Sequence, residues 1–305
     1  MIRLGTDEPV IQSKGIHFYR EEDRDTVFPK VAVGVFSRHL YYDIVSKYQC
    51  NEIGYVKNAN LEKPLCIMKY KDSEILLFMA GVSAPHIAGD LEEIAYHGVD
   101  TFIIFGNCGV LDKNIPDCGI IIPTLAYREE GTSYHYIPEG DSIELDPTYK
   151  DLFIEILKEH DFDYVTGPTW TTDAFYRETR DKVNYFKEKG CLCVEMEASA
   201  IAAICKYKNL HSFIFFYAGD NLDSVTWEER SLSGKVNFEK KQEVTLLALD
   251  LANKIKKWFT SLFLLFFSIF FNYWFNCFFS HWCIFTYCTC WTRINSITNF
   301  FFMII

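Results

Sequence analysis

Ser212-Phe213-Ile214-Phe215-Phe216-Tyr217-Ala218, followed at once by Gly219-Asp220-Asn221, is the stretch that decides the fold. Its apolar residues run without alternation, so both faces of the strand must be covered. Such a strand sits centrally in a sheet with helices on either side. Outward from it, short apolar runs alternate with helical patterns, the signature of an α/β domain. Val31 to Phe36 (VAVGVF) reads as a second buried strand. Leu65 to Tyr70 and Glu74 to Ala80 flank the polar turn Lys71-Asp72-Ser73 and read as an antiparallel hairpin. Pro85 to Ala95 reads as a helix with its proline in the first turn. Thr101 to Phe105 is a strand expected to run into a turn, Gly106-Asn107-Cys108-Gly109. Further strands are expected at Gly119 to Pro123 and Tyr164 to Trp170, and helices at Tyr149 to Glu159, Thr179 to Glu188 and Glu197 to Tyr207. Val244, Leu247, Leu251 and Ile255 recur at three- and four-residue steps, which predicts an amphipathic helix over Asn237 to Lys257. No repeat or low-complexity linker interrupts the body, Lys30 to Lys257, so residues 1–257 read as one domain.

Composition narrows the class. The chain has 305 residues, 49% hydrophobic and 23% charged, enough apolar matter for a core. Its formal net charge of -11 argues against nucleic acid as partner, because phosphate backbones are bound by an excess of Lys and Arg. The 11 Cys include the C-x-C pair Cys191 and Cys193 but no C-x-x-C, so no metal site is expected. Met1 to Ile11 carries Arg3, Asp7 and Glu8 and lacks the apolar stretch of a signal peptide. Reduced thiols and a cytoplasmic location are therefore expected.

The composition changes near Trp258. From there to Ile305 the single formal charge is Arg293, which leaves the body a net charge of -12. Phe259 to Phe279 is long enough to span a bilayer, which takes about 20 apolar residues. Three readings of 258–305 stay open: a membrane-associating segment, a buried or oligomer-covering segment, and AT-rich non-coding DNA read through.

Four clusters put polar groups where an apolar strand ends, the edge at which open α/β sheets bind ligands. Gly34-Val35-Phe36-Ser37-Arg38 leads from strand into helix. Gly34 allows close approach of the backbone, and Arg38 offers a planar fork suited to phosphate. An Arg in a first helical turn is more often simply solvated. In Gly106-Asn107-Cys108-Gly109, spaced glycines could expose backbone N–H groups to an anion, or make an ordinary tight turn. Val194-Glu195-Met196-Glu197 sets two carboxylates around a Met before an Ala-rich helix. Such carboxylates can accept from a vicinal diol while Met covers the apolar face of a sugar, or can form a solvated face. Asp220, at the mouth of a site, can have its pKa raised until it donates a proton near neutrality, or can cap a helix or turn.

Taken together, and with Thr172-Asp173-Ala174-Phe175-Tyr176, these clusters resemble the purine nucleoside phosphorylase and uridine phosphorylase family, which includes the methylthioadenosine nucleosidases. The resemblance covers most of Lys30 to Lys257, and Val194 to Ala198 is its most specific element. It implies a single α/β domain around a mixed, partly barrel-like sheet flanked by helices, assembled as a homo-oligomer, a dimer or a trimer of dimers. It implies Gly34, Arg38 and Asn107 at phosphate, and Glu195, Met196 and Glu197 on the ribose. Phe175 would pack on the base, and Asp220 would protonate N7 of a departing purine. His17 would enter a neighbour's site to touch ribose. Inorganic phosphate would be the co-substrate, with no other cofactor.

Three departures bear on activity. Ile104 stands where phosphorylases of the family carry an Arg, which leaves hydrolysis as an alternative to phosphorolysis. After Phe175-Tyr176 the chain reads Arg177-Glu178-Thr179-Arg180, without the Gln used for uracil, which favours a purine. Gly219 replaces the small polar residue usual before the acid. A nucleoside-binding module with little turnover is the alternative from another class; intact Glu197 and Asp220 speak against it.

Overall fold

A computed structural model describes residue 5 and residues 7–256, which fall in one compact unit. The expectations for 258–305 lie outside the described residues.

In chain order the strands and helices are β1 (His17–Phe18), β2 (Val31–Val35), α1 (Arg38–Lys47), β3 (Gln49–Lys57), β4 (Glu62–Tyr70), β5 (Ser73–Met79), α2 (Ala84–Ala95), β6 (Thr101–Val110), β7 (Ile120–Glu129), β8 (Ser142–Glu144), α3 (Lys150–Glu159), β9 (Tyr164–Thr172), α4 (Arg180–Glu188), β10 (Cys193–Glu195), α5 (Ala198–Lys208) and β11 (His211–Asn221). A last helix, α6, covers 238–256. The strands run in the order β1-β3-β4-β5-β2-β6-β10-β9-β7-β11, and β11 pairs back on β6. Five strands, β6, β10, β9, β7 and β11, therefore close into a barrel, and the rest extend from it as an open wing. Pairings are mixed: β2 is parallel to β5 and β6, while β3, β4 and β5 form antiparallel pairs. This is the single α/β domain with a partly barrel-like sheet that the resemblance implies.

The unalternating strands have the expected cause. Ile103, Phe105, Phe213 and Phe215 point to one side, into a core with Leu40 and Ile44 of α1, Phe153 and Leu157 of α3, and Val244, Leu247 and Leu251 of α6. Phe102, Ile104, Ile214 and Phe216 point to the other, against Ile87 and Leu91 of α2 and Ile201 and Ile204 of α5. Successive residues of β6 and β11 thus enter two different apolar layers. The alanines of α5 let it lie close to the barrel, and all of Ala198 to Cys205 is buried.

Two boundaries differ from the reading of the sequence. Gly106 to Gly109 is not a turn: β6 runs straight through it to Val110. Gly219 to Asn221 does not follow β11 but forms its last residues. Both segments stay extended because β6 and β11 pair with each other along this whole length, from Thr101 and His211 to Val110 and Asn221. Among the described residues no helix is long and apolar enough to cross a membrane.

Candidate active site

The site sits where the sheet forks. β2 pairs with β6 as far as Phe105, and β10 takes over that edge of β6 from Gly109. Gly106, Asn107 and Cys108 lie in the gap, with β11 on their other edge. A cavity of about 700 Å³ opens there, and its lining includes Asn107, Cys108 and Gly109 of β6, Phe36, Met196 and Asp220. The two glycines of this segment make room for neighbours. A Cβ on Gly106 would come within 2.7 Å of the Phe36 ring. One on Gly109 would come within 2.4 Å of Leu222 and 3.1 Å of Asp220 Oδ1. Close approach of side chains, not a backbone nest for an anion, is what these glycines supply.

Asp220 owes its place to a bulge. The register of β11 against β6 shifts between Ala218 and Asp220, so that Gly219 is the extra residue. A bulge of this kind re-aims the side chain that follows it. A Cβ on Gly219 would stand 3.0 Å from Asn107, tight but short of a clash. The Asp220 carboxyl receives the indole N–H of Trp227 on Oδ2 at 2.7 Å. Burial raises its pKa, against the opposing pull of that bond and of the Arg230 charge.

β10 leads directly into the loop of Met196 and Glu197. Glu195 is 5% exposed, and all its acceptor directions are taken. Oε1 accepts from Thr171 Oγ1 at 2.6 Å and Thr169 Oγ1 at 3.3 Å; Oε2 accepts from the N–H groups of Glu197 at 2.7 Å and Ala198 at 2.6 Å. The last two are unpaired donors of the first turn of α5, so Glu195 caps that helix. Thr171 Oγ1 accepts a third, from Ser199 N–H. Glu195, expected on the ribose, lines the cavity, and the four donors on its oxygens anchor the loop. Burial raises its pKa to about 7 against these donors.

Glu197 is held differently. Its Oε1 accepts from Ser83 N–H at 2.6 Å and its Oε2 from Met196 N–H at 3.3 Å, which leaves acceptor capacity toward the cavity. Burial, then the neighbouring charge of Glu195, pushes its pKa up to about 8. Met196 and Phe175 also line the cavity.

Asn107, Phe175, Glu195, Met196, Glu197 and Asp220 are thus brought together from separate segments of chain. Gly34, Arg38 and His17 are not among the residues lining this cavity. Gly34 faces the core, where a Cβ would meet the Phe78 ring at 2.5 Å. Arg38 is exposed on α1, its guanidinium 5.7 Å from the centre of the Tyr42 ring. His17 is exposed on β1 and stacks on Tyr55 at the edge of the wing. Ile104 is fully buried between the sheet and its helices.

Reading the sequence missed Phe36, Ser83, Glu178 and Trp227. Ser83 has φ 94° and ψ 150°, a backbone state nearly confined to glycine, which no local pattern announces. Trp227 reaches Asp220 only because Glu228 pairs back on Asn221.

A model of the phosphorylase superfamily matches residues 30–254. The chain belongs to that family. Within the phosphorylase superfamily it is 28% identical to a guanosine phosphorylase of Halorubrum lacusprofundi, over 62% of this chain and 81% of the relative. It is 27% identical to a DeoD-type purine nucleoside phosphorylase of Mycoplasma genitalium, over 61% and 79%. Among solved structures, a uridine phosphorylase from Vibrio fischeri shares the fold at a TM-score of 0.66 and 20% identity, covering 74% of this chain and 93% of that one. An AMP nucleosidase from Bacteroides thetaiotaomicron does so at 0.60 and 17%, covering 75% and 90%. This member of the superfamily is an enzyme, and its family cleaves nucleosides by phosphorolysis or hydrolysis.

Proposed function

We propose that this enzyme cleaves the N-glycosidic bond of a purine nucleoside with phosphate, giving free base and ribose 1-phosphate. The observation that carries the reading is Asp220: a carboxyl with raised proton affinity, aimed into the cavity by a bulge. As the C1′–N9 bond breaks, its electron pair passes to the base and the proton of Asp220 goes to N7. A phosphate oxygen forms the new bond to C1′. Positive charge builds on the sugar in between, and Glu197, whose ionised form is reached near pH 8, offsets it while accepting from the ribose hydroxyls. Such fixed electrostatics are the usual source of large rate gains. Met196 covers the sugar and Phe175 the base, with Asn107 on the phosphate side. The names of the Halorubrum and Mycoplasma relatives favour a purine.

Water in place of phosphate is the second reading. It is favoured by Ile104 in the core and by Arg38 outside the cavity. Arg180, a cation that does line it, spends its guanidinium on the carbonyls of Leu222 at 2.6 Å and Ser224 at 2.7 Å. A homo-oligomer belongs to the proposal, because exposed His17 would then serve a neighbouring copy. Chromatography of the base released from guanosine, adenosine and uridine tests the substrate class. Release from purine nucleosides is expected; release from uridine alone would overturn the reading.

A further inference from the structure

The cavity holds one more carboxyl that the mechanism above does not use. Glu178 lies on the segment that begins with Phe175, the candidate base-packing ring, and it lines the same cavity as Asp220. Four other polar side chains of the lining are already engaged. Glu195 holds four donors, Arg180 two carbonyls, Trp227 bonds Asp220, and Glu197 is gripped by two backbone N–H groups. Among the described residues no protein donor is hydrogen-bonded to the Glu178 carboxyl. Lys182, the opposite charge acting on it, is bonded to Glu129 at 2.5 Å. A partly buried carboxyl without a partner is costly unless a ligand supplies one. Here the open side is the cavity.

We propose that Glu178 determines which purine is taken, by bonding the six-membered-ring edge of the base. Ionised, it accepts the paired N1–H and 2-amino donors of a guanine. Protonated, it donates to N1 and accepts from the 6-amino group of an adenine. An ionised carboxylate, being acceptor-only, excludes the adenine pattern, whereas a carboxylic acid, one donor and one acceptor, admits it. The groups facing Glu178 are Asp220 on β11, Glu129 on β7 and Lys182 on α4. Burial comes first, and with the two acids it pushes the pKa of Glu178 up to about 8, within reach of working pH; Lys182 opposes them. The preference should then shift toward guanine as pH rises.

The inference rests on the purine reading of the site, and two measurements separate their failures. The first is the ratio of kcat/KM for guanosine to that for adenosine, on the full chain and on Glu178→Gln. In the native enzyme the ratio should rise at least about tenfold from about pH 6 to about 8.5, since a group titrating between these limits can change it by up to tenfold per unit. The titration of Asp220 acts on both substrates and cancels. The amide introduced by Glu178→Gln is a permanent donor and acceptor, so this variant should show a pH-flat ratio. The second is binding of free guanine and free adenine to the native protein, read by tryptophan fluorescence at both pH values, which requires neither turnover nor a variant. Base binding that shifts toward guanine as pH rises, without nucleoside cleavage, would sink the proposed reaction and keep this inference. Nucleoside cleavage with a pH-flat native ratio, a parallel rise in Glu178→Gln, or no binding of either base would overturn the inference.

Discussion

The backbone N–H of Ser83 donates to Oε1 of Glu197 at 2.6 Å, across more than a hundred residues of chain. The contact exists because Ser83 sits at φ 94°, at the end of a Gly81-Val82-Ser83 loop pinned from beneath. Asp90, 1% exposed, accepts Gly81 N–H at 2.7 Å and pairs with buried Lys63. A Cβ on Gly81 would stand 2.6 Å from Lys63 Nζ, so only glycine fits over that pair. The orientation of Glu197 is therefore set by a loop distant in sequence. Above about pH 8, where Glu197 is ionised, Glu197→Gln keeps the shape but removes the charge that offsets the sugar's positive charge, which develops in the transition state. Turnover should fall far more than KM rises. A higher KM at unchanged kcat would make Glu197 a uniform binder.

Asp220→Asn should lower turnover of purine nucleosides by about two orders of magnitude or more, the usual effect of losing a general acid. A nucleoside already alkylated at N7 releases its base without that proton and should suffer much less. Equal losses on both substrates would remove Asp220 from the acid's role.

Burial raises the pKa of Glu197 to about 8 from the ordinary 4.5. The folded protein thus holds this proton more tightly than the unfolded chain. Stability from this group is complete below the unfolded value and is lost as pH rises through the folded one. Glu197→Gln stays neutral throughout and is spared that loss. Between about pH 5 and about 8.5 the native Tm should fall relative to that of the variant. A Tm difference that does not change with pH would mean that Glu197 titrates normally.

How much of this was legible in the sequence depended on how local the cause was. Ser212 to Ala218 and the alanines of α5 reveal buried elements by composition alone. Glu197 and Asp220 are legible because each stands close to the end of an apolar strand. The gap at Gly106 to Cys108 was misread as a turn, since only the pairing of β2, β10 and β11 shows an extended strand beside a cavity. The hold on the Glu195 side chain is not legible in the sequence, because Thr169 and Thr171 arrive from β9, a strand distant along the chain. Glu178 was noticed only as the lack of a Gln; its want of a partner is visible only once Lys182 is seen bonded to Glu129.

The described residues that line the cavity all lie between Phe36 and Leu232. A chain ending at Lys257 should therefore turn over nucleoside as well as the full chain does. Uncharged aromatic stretches favour association, and the shortened chain should also be the more soluble in gel filtration. A folded but inactive shortened chain would give residues 258–305 a part in the site or in its assembly.

The central claim is cleavage by phosphate, and the most direct test is base release with inorganic phosphate as the single variable. The enzyme should release little base in phosphate-free buffer. Added phosphate should raise the rate to saturation and yield ribose 1-phosphate, one per base. Base release at full rate without phosphate, with free ribose as the sugar product, would contradict the account and make the enzyme a nucleosidase.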